Sequence, residues 1–167
     1  IANSPYGPNG VADYATMLIL MTTRKIKSIE MRSAVQDYTL KGLQGRELKD
    51  LTVGVIGTGR IGRTVLSNLS GFGCKRIAYD IYENDEVKKS GVHYVTLDEM
   101  WQQADVISLH APLTEKNHHM IGEDAISKMK DGVIILNNSR GPLIVEKDLA
   151  DALNSGKVAA AGLDVVS

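Results

Sequence analysis

Apolar residues fall in short blocks closed by glycine or polar turns, separated by longer amphipathic stretches. Leu51–Ile56 is an apolar run ending at a glycine and reads as a buried strand. Arg60–Phe72 sets Ile61, Val65, Leu69 and Phe72 on one helical face, with Gly73 as the stop. Arg76–Tyr79 and Val92–Val95 read as the second and third strands. Thr96 and Glu99 have capping-box spacing and predict a helix to about Gln103. Asp105–Leu109 is the fourth strand, Asp124–Met129 a short helix and Gly132–Leu136 the fifth strand. Glu146–Asn154 reads as a helix closed by Gly156, and Val158–Leu163 as the sixth strand. Ahead of these, residues 1–10 form a turn-rich entry in which Asn9 suits a helix N-cap. From Val11 to about Met31 the pattern predicts one long helix. Its first half is apolar nearly all round and should be buried; its second half is polar and should reach solvent. Residues 32–50 read as a loop.

Strands alternating with helices imply an α/β fold, a parallel sheet covered on both faces. Six strands in this rhythm point to the doubly wound, Rossmann-type dinucleotide fold in three αβα layers. The chain has 167 residues, 43% of them hydrophobic, which fits one domain with a full core. Its formal net charge of -1 disfavours a nucleic-acid or anionic-membrane partner. The single cysteine, Cys74, excludes a disulfide framework and fits a reduced, cytoplasmic setting; no activating base is visible beside it. Nothing resembles a signal peptide or a membrane span. Ile1 and the strand-like run before Ser167 both look like cut ends, which suggests a piece of a longer protein.

Gly57-Thr58-Gly59-Arg60-Ile61-Gly62 fits G-x-G-x-x-G directly after a strand and at the start of an amphipathic helix. Gly57 permits the tight turn, Gly59 lets a diphosphate approach the backbone, and Gly62 lets the helix pack on the sheet. The helix N-terminus then offers free N–H donors to the anion. Asp80 closes the second strand 18 residues after Gly62. A carboxylate there can accept hydrogen bonds from the adenosine ribose hydroxyls and would repel a 2′-phosphate. Ile81, Tyr82, Glu83 and Asn84 supply no offsetting cation, so NAD is favoured over NADP.

Ligands of an open parallel sheet bind beyond the carboxyl ends of its strands. Strand four ends in His110-Ala111-Pro112, strand five in Asn137-Asn138-Ser139-Arg140-Gly141-Pro142, and strand six in Asp164. Arg140 could hold a carboxylate bidentately, or could pin a loop or pair with Glu146. Asp164 could accept from a nicotinamide carboxamide, or serve as a cap. Of the histidines, His93 reads as packing in a short strand and His118 and His119 as solvated. His110 could touch a cofactor or brace the rim through a structural hydrogen bond. Ligand spacing for a metal is absent.

These blocks together resemble the NAD-binding domain of the D-isomer-specific 2-hydroxyacid dehydrogenases. The resemblance rests on Asn9–Tyr14, Leu51–Gly62, Ser108–Thr114, Asn137–Leu143 and Ala161–Val165, in that order. It implies that Arg140 binds the substrate carboxylate and polarises the keto group. It also implies that Asp164 is the nicotinamide-side acid, and that His110, Ala111, Pro112, Asn117, Asn138 and Ser139 line the cofactor pockets. Tyr6, in Pro5-Tyr6-Gly7-Pro8-Asn9, is similar to a substrate-facing tyrosine of the D-lactate dehydrogenase branch, although Gly7 departs from the usual serine. Val11–Tyr14 together with Leu18–Met21 looks like that branch as found in vancomycin-resistance operons. The resemblance further implies a homodimer, a small 2-keto or 2-hydroxy acid as substrate, and an acid–base histidine and its glutamate partner beyond Ser167. Two other classes share the fold: an NAD-sensing corepressor without turnover, and an adenosyl-binding domain as in homocysteine hydrolases. Arg140 after strand five weighs against the last.

Overall fold

The computed structural model describes residues 7–167, so Tyr6 lies outside the described residues. Six strands, β1 (Thr52–Ile56), β2 (Lys75–Tyr79), β3 (His93–Tyr94), β4 (Val106–Leu109), β5 (Val133–Asn137) and β6 (Val158–Leu163), form one sheet. Their order is β3-β2-β1-β4-β5-β6, and every pairing is parallel. The order reverses between β1 and β4, which places the topological switch point there. The doubly wound fold expected from the alternation is the one observed.

Side chains alternate along each strand and feed two cores. Ile56, Ile107, Leu109, Val133 and Ile135 face helices α5 (Leu97–Gln103), α6 (Glu123–Lys128) and α7 (Glu146–Ser155). Val53, Val55, Val106, Ile134 and Leu136 face α1 (Pro8–Thr23), α3 (Arg60–Asn68) and α4 (Asp85–Lys89). Strands buried on both faces read as continuous apolar runs, as these do.

The long first helix departs from expectation in three ways. It starts at Pro8 with Gly7 as its N-cap, so Asn9 lies inside the first turn and caps nothing. Proline is preorganised for that first position, and its missing N–H costs nothing there. The helix then breaks: Lys25 adopts a left-handed φ of 57°, and α2 (Ile26–Ala34) begins after it. Thr22 and Thr23 precede the break, and their hydroxyls donate back to Leu18 and Ile19 carbonyls at 2.7 Å each. Such back-bonding competes with the backbone ladder and bends helices. Finally, only Ala12, Ala15, Ile19 and Thr23 are buried, while Tyr14 and Met17 on the opposite face are exposed.

Three further elements went unpredicted, one of them a 3₁₀ turn over Gly141–Leu143 after β5. α4 lies within the stretch between the second and third strands, and a 3₁₀ turn covers Leu48–Asp50 inside the expected loop. His93, expected to pack, is exposed on the edge strand. The capping box at Thr96 is present in both directions: Thr96 Oγ1 accepts from Glu99 N at 3.2 Å, and Glu99 accepts from Thr96 N at 2.8 Å.

Candidate cofactor and substrate site

The carboxyl ends of β1, β2, β4, β5 and β6 line one rim, and the predicted site residues follow those ends. The three loop glycines have three different surroundings. Gly57 has φ +94°, and a Cβ there would meet Ala111 N at 2.6 Å and His110 C at 2.7 Å, so the loop is pressed against the end of β4. A Cβ on Gly62 would lie 1.9 Å from Gly57 O, so α3 reaches the sheet only because that atom is missing. A Cβ on Gly59 would meet nothing within 4 Å: its hydrogen faces open space.

The loop amides divide accordingly. Gly57 N donates to Tyr79 O at 2.8 Å and Thr58 N to Asp80 Oδ2 at 2.6 Å. The next amides open α3, whose N-cap Gly59 supplies no side chain to satisfy them. Unsatisfied amides over an open face are what a diphosphate requires. The residues present therefore fit the dinucleotide.

Asp80 points at this loop. Oδ2 takes both the Thr58 amide and the Thr58 hydroxyl (3.0 Å), and Oδ1 takes the Tyr82 amide at 3.1 Å. A carboxylate offers about four acceptor positions, so the capacity left for ribose hydroxyls lies on Oδ1. Lys88, one helix further on, is bound by Glu83 at 2.6 Å.

At the end of β4 the His110 Nε2 lies 2.8 Å from Ser108 Oγ, while its Nδ1 is buried without a partner. Burial pushes the imidazole down to about 4, so at neutral pH the ring is uncharged. This fits bracing of the rim and not proton donation. Asn117 spends its amide on its own loop, donating to Pro112 O at 2.8 Å and accepting from Thr114 N at 2.7 Å. It shapes the loop that carries Ala111 and Pro112.

At the end of β5, Ser139 Oγ donates to Leu109 O at 3.0 Å and latches two strand ends together. Asn137 Oδ1 accepts the Ser139 amide at 3.0 Å, and its Nδ2 donates to Arg140 O at 2.9 Å. Asn138 is buried with both side-chain polar atoms unpartnered, a costly arrangement unless a bound group completes it. Arg140 is exposed, and its Nη1 donates to the Ser139 carbonyl at 2.7 Å. It does not pair with Glu146, which instead accepts the Ser167 amide. Gly141 packs under the chain end, where a Cβ would meet Val166 C at 2.4 Å. Asp164 is exposed at the end of β6, with its amide bonded to Asn137 O at 3.0 Å. Cys74 is buried, burial raises its thiol above the usual range, and it is chemically quiet.

The cleft bounded by Leu20, Arg24, Leu48 and Phe72 lies toward the amino ends of the strands and gathers none of these groups.

The family model of the D-isomer specific 2-hydroxyacid dehydrogenase NAD binding domain matches residues 16–167. The chain belongs to this family. The glycine loop and Asp80 both lie within the matched stretch. An aromatic 2-oxoacid reductase of Clostridium sporogenes is 51% identical over 166 residues, covering 98% of this chain and 50% of the relative. A D-lactate dehydrogenase of Lactiplantibacillus plantarum is 48% identical over 165 residues, covering 98% and 50%. The D-lactate dehydrogenase of Aquifex aeolicus, solved with NAD and lactic acid, superposes with a TM-score of 0.94 at 41% identity, covering 98% of this chain and 49% of that one. The family chain spans about half the length of these relatives. Their names are those of enzymes and lend nothing to the corepressor reading.

Proposed function

We propose that this NAD binding domain serves a two-domain dehydrogenase that interconverts a 2-keto acid and a D-2-hydroxy acid, with pyruvate and D-lactate or a close analogue as the pair. The observation that carries the reading is the open backbone at Gly59 above free helix amides, with Asp80 held toward it by Thr58. Gly57–Gly62 would hold the diphosphate, Asp80 the adenosine ribose, and Asp164 with the unpartnered Asn138 the nicotinamide end. When bound, NAD supplies or receives the hydride.

Arg140 would clamp the substrate carboxylate and draw charge from the keto oxygen. Its guanidinium is exposed, permanently charged and, among the described residues, in no ion pair. Tyr6 would face the same substrate. The proton donor is not found among the histidines here: His110 is held neutral, and His118 and His119 are exposed in a loop. A histidine–glutamate pair in a second domain would supply it. Relatives named for lactate and for aromatic 2-oxoacids leave side-chain size to that domain. The reading includes a cytoplasmic homodimer. A partly unpartnered apolar face on α1 and α2 supports the dimer.

The test measures NADH oxidation by the full-length protein with pyruvate, branched and aromatic 2-keto acids, beside calorimetric titration of NAD and NADP. Turnover of at least one acid, with NAD bound more tightly than NADP, is expected. No turnover with any acid would overturn the enzyme reading.

A further inference from the structure

Tyr94 sits on the edge strand β3, opposite Ala78 of β2, and no motif includes it. Its hydroxyl stands between two parts of the nucleotide rim. It donates to Thr58 Oγ1 at 2.8 Å and accepts the Asn84 amide at 3.0 Å. The direction of this chain is forced from both ends. Asp80 as a carboxylate only accepts, so the Thr58 hydroxyl must give its hydrogen to Oδ2. Thr58 Oγ1 is then free to accept, and Tyr94 donates to it. The Asn84 amide only donates, and fills the acceptor side of the Tyr94 oxygen.

The same hydroxyl therefore steadies both grips on Asp80. Through Thr58 it orders the group that holds Oδ2. Through Asn84 it tethers the segment 81–84, whose Tyr82 amide holds Oδ1. Asn84 in turn caps α4, its Oδ1 accepting from Glu86 N at 2.9 Å, so that segment has a fixed far end. The ring is half-buried, with Lys88 Nζ 5.9 Å from its centroid.

We infer that Tyr94 is a positioning residue for cofactor choice, acting through Thr58 and Asn84 to fix the Asp80 carboxylate against a 2′-phosphate. This rests on the NAD reading above. A carboxylate that cannot swing aside keeps its acceptor toward a 2′-hydroxyl and its charge toward a 2′-phosphate. One freed from its hydroxyl chain loses part of the first contact and relaxes the second.

The experiment titrates NAD and NADP into the full-length protein and into Tyr94→Phe, Thr58→Val, Thr58→Ser and the Tyr94→Phe/Thr58→Val double variant. Circular dichroism melting accompanies each titration. Tyr94→Phe should weaken NAD about three- to tenfold, the effect of one hydrogen bond, while NADP binding holds or improves, so the preference narrows. Thr58→Ser keeps the hydroxyl and should keep the preference. In the Thr58→Val background, Tyr94→Phe should cost less than it does in the wild type, because the Thr58 arm is already cut and only the Asn84 arm remains to lose. An unchanged NAD-to-NADP ratio in Tyr94→Phe, with NAD still bound by the wild type, overturns the inference and leaves the NAD reading standing. Full additivity of the two variants overturns it too. Should Tyr94→Phe fail to fold, the Thr58 pair decides: an unchanged preference in Thr58→Val overturns the inference. A wild type that binds neither nucleotide removes the NAD reading and the inference together.

Discussion

Gly59 and Gly62 are three residues apart in the loop with opposite reasons for lacking a side chain. A Cβ on Gly62 would collide with Gly57 O, whereas one on Gly59 would touch nothing in the protein. Gly59 has φ −64°, which alanine adopts without strain. Gly59→Ala should therefore melt within a degree or two of the wild type yet lose most NAD affinity, while Gly62→Ala should lose stability outright. Calorimetry and thermal melting separate the two outcomes, and an intact NAD affinity in Gly59→Ala would contradict the placement of the diphosphate. His110 gives a second prediction. Its folded form protonates only near about 4, against an ordinary value of 6.5. Between those pH values the unfolded chain binds the extra proton, so stability is full above about 6.5 and is lost as pH falls toward about 4. The contribution is at most about 3 kcal/mol and is reduced by the solvent reaching part of the ring. Urea unfolding at stepped pH should show a shallower loss in His110→Gln, which cannot titrate. Identical pH dependence in both proteins would exclude the role. Residue chemistry was largely legible where a position needs a particular backbone, as at Gly57, Gly59 and Gly62. It was not legible where a polar side chain had a choice of partners. Asn117 and Ser139 stand in binding blocks yet serve neighbouring backbone, and Tyr94 gave no local sign, because its partners lie 36 and 10 residues away.

The central strands β1, β4 and β5 could be read from apolar runs buried nearly throughout, the outer strands β2, β3 and β6 from short apolar runs between turn signals, and the strand ends shifted by about one residue. The capping box at Thr96 was equally plain. The errors lie in helices whose signals are local and polar. α4 has an Asn84 cap, acids in its first turn and lysines in its last, followed by Gly91 at φ 85°. That is a complete set of start and stop signals around a five-residue helix too short to show a hydrophobic face. The break after Thr23 was hidden for the opposite reason: apolar periodicity ran up to it without a glycine or proline. The threonine pair was the available signal. At the amino ends of the strands, Asp105 ties three elements. Its carboxylate accepts from Thr52 N at 2.8 Å, Arg46 Nη2 at 2.9 Å and Lys130 Nζ at 3.3 Å. Burial alone would raise this carboxyl, but the Thr52 amide, Lys130 and Arg46 together hold it below its usual range. Asp105→Ala leaves the half-buried Thr52 amide unsatisfied and should cost about 1–3 kcal/mol in denaturant unfolding. NAD affinity should survive, since the rim lies at the other end of the sheet. A variant as stable as the wild type would show that the three contacts add nothing.

At the scale of the molecule, the surface divides into a polar rim and an apolar arm. Residues of α2 and the segment after it leave large side chains in water: Leu40 is 84% exposed, Tyr38 76% and Val35 75%. Ile29, Tyr38, Leu40 and Leu43 border one cleft, and Tyr14 and Met17 add a half-exposed face on α1. Single exposed apolar side chains are ordinary, but a cleft edged by several marks a surface that something covers. The nearly all-apolar first half of α1 predicts burial. Its inner face is buried on α3, β5 and β6, and its outer face is the part that still lacks a neighbour. The homodimer proposed above would meet the need through a two-fold axis, since one patch can then cover its own image. Sedimentation should find the wild type dimeric. The double variant Tyr38→Glu/Leu40→Glu should be monomeric, because four charges facing each other across the axis would be desolvated without partners. The variant should keep its NAD affinity at micromolar protein if the rim is complete within one chain, and lose it if the partner contributes to that edge. A monomeric wild type would leave the arm to a different covering surface and remove the dimer from the proposed function.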